Sequence, residues 1–269
     1  MTSPVEIINI ITINIIINQM GILNKLFPKK EVTIEPVSLD FLNNDIHSHL
    51  IPGIDDGSPD METTLSLLEN FIDLGYKKVI TTPHIMSDYY KNTPNIILDG
   101  LDKVRKEIQK NNLKIEIEAA AEYNLEPDFE QLLKDNNVLT FGQENYLLFE
   151  LSFFDEPPRL SEVIWDMREK GYCPVLAHVE RYAYWHQNYD KVEEMINRGV
   201  KLQLNIGSIT GAYGPEVKKV AEKMIDDQII DFVGSDCHHI HHLEMIDHAK
   251  RLPAFHSLIQ QEQILNKTL

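Results

Sequence analysis

The sequence predicts a single α/β domain whose seven parallel strands form a closed or nearly closed (β/α) barrel. First, short apolar segments alternate with longer helical ones from about residue 40 onward, which is typical of βαβ units. Second, these segments lack strict polar–apolar alternation, as expected of strands that are covered on both faces. Third, His, Asp and Glu recur where the segments end, which is the place where barrel enzymes build their active sites.

Seven segments have the length and composition of buried strands. Runs such as YLLFEL and PVLA are short, apolar and bounded by polar residues. No internal repeat or low-complexity linker interrupts the series after residue 40. The predicted strands cover residues 41–46, 78–82, 115–122, 146–151, 174–178, 201–206 and 229–235.

Helical segments lie between these strands. Apolar residues recur at helical spacing from Met61 to Ile72. Ser58 is the predicted N-cap of this helix, Pro59 its first residue and Gly75 its end. Further helices are predicted at about residues 94–111, 160–170, 189–198, 214–227 and 243–251.

Side chains that bind metals stand at the carboxyl ends of six of the seven predicted strands. In an extended strand residues i and i+2 face the same way, so a His-x-His or Asp-x-His pair presents both side chains to one cavity. Imidazoles with carboxylates suit Mn²⁺, Fe or Zn²⁺, and nine candidates exceed what one ion requires. We therefore predict two or three divalent ions, which in phosphoryl hydrolysis clamp the attacking and leaving oxygens. The candidates are His47, His49, Asp56, His84, Glu122, Glu150, His178, Asp236 and His238.

The motifs DIHSH, TTPH, AAAE, LLFEL, LAHVERY and GSDCHH, in this order and spacing, resemble those of the PHP superfamily. They are most similar to its bacterial tyrosine-protein phosphatases of the capsular and exopolysaccharide biosynthesis type, over roughly residues 43–268. The resemblance implies a distorted seven-stranded barrel and a trinuclear site, usually with manganese, although iron or zinc would suit the same donors. It also implies that the substrate is phosphotyrosine on a partner bacterial tyrosine kinase.

The same resemblance implies that all nine candidates are metal ligands and that Arg181, in HVER, binds the phosphate. Arg181, Asp56 and His49 are the residues assigned to catalysis. The sequence departs from the family at one point, because a second phosphate-facing arginine usually follows the last DxH motif. Here no arginine follows until Arg251, so histidines or Lys250 and Arg251 take its place, or phosphate binding is weaker.

Several polar residues beside these motifs are predicted to have other roles. Asp55 is interpreted as a turn residue before Gly57 and not as a ligand. Asp45 is predicted to accept a hydrogen bond from a ligand histidine. The histidines after the last motif are interpreted as a solvated face, with His241 or His242 as the ones that could touch substrate.

Composition argues against nucleic acid as a partner. The net charge is −17, and the longest basic run is Lys29–Lys30, whereas phosphate backbones are bound by Lys/Arg patches. The two cysteines, Cys173 and Cys237, do not form a disulfide framework. With no export signal, this cysteine usage predicts a reducing, cytoplasmic setting.

The N-terminal region differs from the rest of the chain. Residues 7–17, IINIITINIII, are too few to span a membrane and lack the basic start and cleavage site of a signal peptide. A more ordinary segment begins at Met20, which is a candidate for the native start. We predict an N-terminal extension over residues 1–40, of which 1–19 are candidates for a non-native segment. The phosphatase domain is predicted over residues 41–269, without an integral membrane segment.

The sequence also argues against two other catalytic mechanisms, a cysteine nucleophile and the use of ATP. Cysteine-dependent tyrosine phosphatases need an arginine six residues after the cysteine, but Val179 and Leu243 occupy those positions. A Walker-type glycine loop is also absent from the sequence. The leading hypothesis is metal-dependent hydrolysis of protein phosphotyrosine. The alternatives are a PHP phosphatase for a small metabolite such as histidinol phosphate, a phosphodiesterase, and a non-catalytic phosphotyrosine-binding regulator.

Overall fold

Strands and helices alternate along the part of the chain that the computed structural model describes, residues 33–269. The candidate start at Met20 and most of the predicted extension lie outside these residues. The strands are β1 (Asn44–Asp45), β2 (Lys78–Thr81), β3 (His84–Ile85), β4 (Glu116–Ala119), β5 (Glu122–Asn124), β6 (Tyr146–Glu150), β7 (Cys173–Leu176), β8 (Lys201–Asn205) and β9 (Phe232–Gly234). The helices are α1 (Met61–Leu74), α2 (Pro94–Lys110), α3 (Pro127–Lys134), α4 (Leu160–Glu169), α5 (Asp190–Asn197), α6 (Ile206–Ile209), α7 (Pro215–Asp226), α8 (Ile240–Ala249) and α9 (Pro253–Ile259).

The strands pair in parallel, in the order β1-β2-β4 and β3-β5-β6-β7-β8-β9. The predicted strand over residues 115–122 is divided into β4 and β5, and β3 is a short additional strand that follows β2 beyond the predicted end at Thr82. Thr82 and Pro83 separate β2 from β3, because proline lacks the N–H that a ladder needs. Hydrogen bonds from Ala120 N–H to the Thr81 carbonyl and from Glu122 N–H to the Pro83 carbonyl bridge the gap. The predicted set of strands is thus confirmed, with shorter boundaries.

The curled sheet brings the first strand next to the last. Asp236 N–H donates to the His47 carbonyl at 2.8 Å, and His49 N–H donates to the Cys237 carbonyl at 2.9 Å. Ser48 and Cys237 form a parallel bridge there. The segments that follow β1 and β9 are therefore neighbours, and the carboxyl ends of all the strands face one mouth. Both cysteines are free.

Helix α1 confirms the predicted stop and corrects the predicted cap. Gly75 ends the helix at a φ of 104°, which a glycine adopts without a steric cost. The N-cap is Asp60, whose carboxylate accepts the Thr63 N–H at 2.8 Å, and not Ser58. Ser58 is buried and donates to the Asp60 carbonyl, so Pro59 precedes the helix.

The remaining helices agree with the sequence pattern to a residue or two, except α8, which begins three residues earlier than predicted. Helices α3, α6 and α9 were not predicted. They have eight, four and seven residues, too few to establish a helical period. Among the residues described, no helix has the length and hydropathy that crossing a bilayer requires.

Alternate residues of the strands face two different apolar layers. On β6, Leu147 and Phe149 pack in the large cluster that includes the helices, whereas Tyr146 and Leu148 pack in a smaller cluster with residues from the other strands. Because residues i and i+2 share a face, Glu150 continues the row of Tyr146 and Leu148. This apolar interior is therefore the floor beneath the polar strand ends.

Candidate metal centre

All nine predicted ligands come together at the carboxyl ends of the strands. Their donor atoms form four overlapping groups, in each of which the atoms lie within 4.8 Å of one another. Every ligand-type residue in these groups is one of the nine. The groups are His49–Asp56–His84–His238, His47–His49–Glu122, His47–His178–Asp236 and His84–Glu122–Glu150.

The HxH pair after β1 is oriented by partners on the outer nitrogen of each ring. His47 Nδ1–H donates to Gln203 Oε1 at 3.0 Å, and His49 Nδ1–H donates to Asp55 Oδ2 at 2.8 Å. A proton on Nδ1 leaves the lone pair of Nε2 available to a metal. The two Nε2 atoms lie 3.4 Å apart and face the same space. Asp55 also accepts the Gly57 N–H, so its predicted turn role is confirmed, and it orients His49 as well.

Glu122, at the start of β5, lies at the centre of the cluster. Its Oε2 is 3.2 Å from His47 Nε2, 3.5 Å from His49 Nε2 and 3.1 Å from His84 Nδ1. Its Oε1 is 3.0 Å from His178 Nε2. The carboxylate is fully buried. One carboxyl group therefore joins two of the ligand groups.

The positions of the donor atoms in this cluster agree with binding to shared divalent cations better than with hydrogen bonds between the side chains. Glu122 Oε2, His84 Nδ1 and Glu150 Oε1 are buried without a hydrogen-bond partner, although all three are close together. Ligands that share an ion at about 2.1 Å lie about 3.0–3.4 Å from each other in octahedral or tetrahedral geometry. The observed separations of 3.1 Å and 3.3 Å between His84 and the two carboxylates agree with that spacing.

The charges of the cluster are strongly coupled. Burial would lower the pKa of His47 and of His84, but the neighbouring Glu122, with Asp236 or Glu150, raises each pKa to about 10. Burial and the nearby histidines lower the pKa of His49 to about 4. Burial would raise the pKa of Glu122, but the surrounding imidazoles hold it well below its usual range. Metal binding to His47 and His84 must therefore displace protons at neutral pH.

Strand β8 carries two functional residues that the sequence prediction missed. It is the one predicted strand without a His, Asp or Glu at its end, and Gln203 and Asn205 take that place. Gln203 Nε2 donates to Asn205 Oδ1 at 2.8 Å, and Asn205 Nδ2 donates to Asp236 Oδ2 at 2.7 Å. Together with the bond from Gln203 to His47, this chain of amides connects two neighbouring predicted ligands, His47 and Asp236. The Q-x-N spacing on a buried strand was the available signal.

The predicted role of Asp45 is wrong. Its carboxylate accepts the Ser235 N–H and hydroxyl, both at 2.8 Å, and no ligand imidazole donates to it. The Ser235 hydroxyl is also 2.9 Å from the His47 carbonyl. Burial raises the pKa of Asp45 to about 7. Asp45 thus connects β1 to the end of β9 and positions the backbone of the ligands instead of their rings.

Two of the ligands have a left-handed backbone conformation. His178 has a φ of 35° and Asp236 a φ of 50°. Non-glycine residues adopt this region at a cost of order 1–3 kcal/mol, and such residues concentrate at functional sites. In both cases the turn directly after a strand aims the side chain across the mouth of the barrel, where His178 approaches Glu122 and Asp236 approaches His47.

Arg181 lies in the short 3₁₀ turn after His178 and faces the cavity above the cluster. Its Nη1 donates to Asp236 Oδ2 at 3.0 Å. Its guanidinium carbon lies 4.7 Å from the ring centre of Phe153 and 4.5 Å from that of Tyr213. Stacking of this kind fixes the plane of a guanidinium. The sequence placed Arg181 at the mouth, and the structure locates it there.

The cavity over the cluster measures about 680 Å³ and holds a single arginine or lysine among the described residues that line it, Arg181. Lys250 and Arg251 do not line it, whereas His239 and His242 do. His242 accepts the His238 N–H on Nδ1 at 3.1 Å, which places its proton on Nε2. His241 is exposed and pairs with Glu244 instead. Histidines, and not the later basic residues, therefore stand in the region of the missing arginine.

A family model described as capsular polysaccharide synthesis, CpsB/CapC, matches residues 43–252. The chain belongs to this family. The tyrosine-protein phosphatase YwqE of Bacillus subtilis is 28% identical over 196 residues, which cover 73% of this chain and 77% of YwqE. The tyrosine-protein phosphatase CpsB of Streptococcus agalactiae is 27% identical over 201 residues, which cover 73% of this chain and 83% of CpsB. The family predicted from the motifs is thereby confirmed.

The fold of the CpsB/CapC family is found in this chain as well. A crystal structure from a study of YwqE from Bacillus subtilis and CpsB from Streptococcus pneumoniae, described as unique metal-dependent tyrosine phosphatases, superposes with a TM-score of 0.73 at 25% identity. The match covers 84% of this chain and 90% of that structure. The predicted distorted (β/α) barrel is confirmed, in the form of an α/β fold whose parallel sheet is curled into a half-barrel.

Proposed function

We propose that this chain is a metal-dependent tyrosine-protein phosphatase of capsular polysaccharide synthesis. The observation that carries the proposal is the convergence of nine His, Asp and Glu side chains beneath one arginine, in a member of the CpsB/CapC family. The proposed substrate is a phosphotyrosine on a protein, with a bacterial tyrosine kinase as the expected partner. Histidinol phosphate and phosphodiesters are the competing substrates that the assay below compares.

We infer that the nine residues hold two or three divalent ions, with Mn²⁺ as the expected metal. Four overlapping groups of donors support more than one ion, and Glu122 belongs to two of them. The same imidazole and carboxylate donors also suit iron and zinc. Such ions, when bound, lower the pKa of water towards neutrality and offset negative charge on phosphoryl oxygens.

The roles of the three residues assigned to catalysis, Arg181, Asp56 and His49, follow from the positions of their side chains. Arg181 donates its N–H groups to the phosphoryl oxygens, in a plane that Asp236 and two aromatic rings hold. Asp56 faces the cavity, and hydrogen bonding to His238 holds its pKa below the usual range against the effect of burial, so its carboxylate is ionised and available to a divalent ion. His49 remains neutral and oriented by Asp55.

The substrate proposed here needs little acid catalysis at the leaving group. The tyrosine phenol has a pKa of about 10, well below that of an alkyl alcohol, so the phenolate departs more readily than an alkoxide. A site of this kind needs to orient and neutralise the phosphate more than it needs to protonate the ester oxygen.

The test is phosphate release by the metal-loaded protein from a phosphotyrosine peptide, histidinol phosphate and a dinucleotide. We expect the peptide to be the preferred substrate by kcat/KM. His47→Ala and Asp236→Ala should lose both turnover and bound metal, as measured by elemental analysis of the purified protein. The control is His241→Ala, an exposed histidine outside the cavity, which should retain both. Normal turnover by His47→Ala would contradict the assignment of the site.

A further inference from the structure

An apolar rim of three exposed aromatic side chains borders the cavity above the metal centre. Phe154 is 93% exposed, Tyr89 is 76% exposed and Phe153 is 42% exposed, and all three line the cavity. A single exposed apolar side chain is common, whereas several that border one cavity mark a binding site. Neither the metal centre nor Arg181 accounts for the exposure of Phe154.

The loop that carries this rim has a defined conformation. Phe154 N–H donates to the Ser152 hydroxyl at 3.1 Å, and the Ser152 carbonyl accepts the Tyr184 hydroxyl at 2.9 Å. Leu151 N–H, just before the loop, donates to the Tyr182 hydroxyl at 2.9 Å. The two tyrosine bonds attach the residues before Phe153 to the segment that follows Arg181, and the bond from Phe154 to Ser152 closes the loop around Phe153. The two phenylalanines are therefore presented at a fixed place beside the arginine.

Phe153 contacts the phosphate-binding region directly. Its ring lies 5.4 Å from the ring of His178, at 28°, and 4.7 Å from the guanidinium carbon of Arg181. A phosphate that contacts Arg181 therefore binds beside the ring of Phe153. Phe154, the next residue, lines the same cavity.

We propose that Phe153 and Phe154 form a stacking surface for the aromatic ring of the substrate, so that the site selects aryl over alkyl phosphomonoesters. The inference rests on the proposed phosphatase function and deepens it. Aromatic pairs prefer offset or edge-to-face contacts with ring centres 4.5–7 Å apart, and the phenyl ring of a bound aryl ester can make such contacts with these side chains. A small metabolite with an alkyl phosphate would leave this surface uncovered.

The experiment measures binding of phenylphosphonate and methylphosphonate to the metal-loaded protein by calorimetry. These two probes differ only in the ring and are not hydrolysed. In the wild type we expect phenylphosphonate to bind more tightly. Phe154→Ala and Phe153→Leu should each lower the phenyl-to-methyl affinity ratio by about 2- to 12-fold. Methylphosphonate affinity should stay unchanged in Phe154→Ala, whereas in Phe153→Leu it should fall less than phenylphosphonate affinity, because Phe153 also packs against Arg181. Phe154→Trp should retain the ratio, because it restores an aromatic surface.

The control variant is Trp165→Ala, which removes an aromatic side chain that is 61% exposed on α4 and does not line the cavity. It should leave the ratio unchanged. If Phe153→Leu weakens both probes equally, Phe153 only packs against Arg181 and the proposal is overturned. An unchanged ratio in Phe154→Ala together with Phe153→Leu also overturns it. Failure of the phosphatase function would appear separately, as absence of phosphate release by the wild type from the phosphotyrosine peptide.

Discussion

Gln203 is expected to control metal affinity although it does not belong to the metal-binding groups. The proposed change is Gln203→Met, which preserves much of the side-chain volume and removes every polar atom. Gln203 Oε1 accepts from His47 Nδ1–H and from the His178 N–H, both at 3.0 Å, while Nε2 donates to Asn205 at 2.8 Å. The substitution therefore leaves two donors and one acceptor without partners in a fully buried place.

The size of the effect follows from these three bonds. Unpaired buried groups cost about 1–3 kcal/mol each, so with partial relaxation we expect about 3–6 kcal/mol less free energy of unfolding in the metal-free protein. His47 also loses the acceptor that holds its proton on Nδ1. Loss of such a partner behind a ligand histidine lowers metal affinity roughly 10- to 100-fold.

The assays are urea unfolding in the presence of a chelator and competition for metal with a chromophoric chelator. Gln203→Glu retains an acceptor for His47 and loses the donor to Asn205, so its metal affinity should lie closer to that of the wild type than the affinity of Gln203→Met. Gln131→Met, on the exposed face of α3, is the matched control and should change neither property. Wild-type metal affinity in a folded Gln203→Met variant would refute the proposed orientation of His47.

Three further changes have direct readouts. Arg181→Lys keeps the charge but loses the planar guanidinium with its paired N–H donors, so kcat/KM for the peptide should fall roughly 100-fold. Metal content should stay constant. Full activity would contradict a phosphate-binding role for Arg181. His47 and His84 have pKa values raised from 6.5 to about 10 in the metal-free fold, so their stabilisation is fully present below pH 6.5 and is lost as the pH rises through 10. The melting temperature of the metal-free protein should fall across that range, and a rising profile would disprove the coupling. In Gly57→Ala the new methyl group would lie 2.2 Å from the His49 carbonyl oxygen. We therefore expect about 1–3 kcal/mol less free energy of unfolding and less bound metal, measured by thermal melting and elemental analysis. A variant with unchanged stability and metal content would show that the loop has room to move.

The strand ends could be predicted because their signals are local. A run such as YLLFEL identifies a buried strand, and the residue at its end follows from the chain itself. Parallel strands share one carboxyl edge, so a ligand at each end implies a common site without any knowledge of distances. The structure does bring the nine predicted ligands together, and it places Arg181, three residues beyond His178, in the cavity above them.

The partners of those ligands could not be predicted in the same way. Asp45 was expected to support a histidine and instead binds Ser235, 190 residues away in sequence. The amides on β8 were overlooked because Gln and Asn are not ligand types, and the link from Gln203 to His47 spans 156 residues. Which hydrogen-bond donor meets which acceptor depends on how strands from distant parts of the chain lie beside each other.

The sequence by itself determined the alternation of strands and helices, the ligand types and their convergence, since each depends on periodicity and chemistry within a few residues. Only the tertiary structure decided which oxygen fixes each histidine, how the rings of Phe153 and Tyr213 hold Arg181, and that Phe154 remains in water beside them. The physical reason is the short distance over which these contacts act. Hydrogen bonds and ring contacts act over a few ångströms in space, and only folding brings residues that are far apart in the chain within that distance.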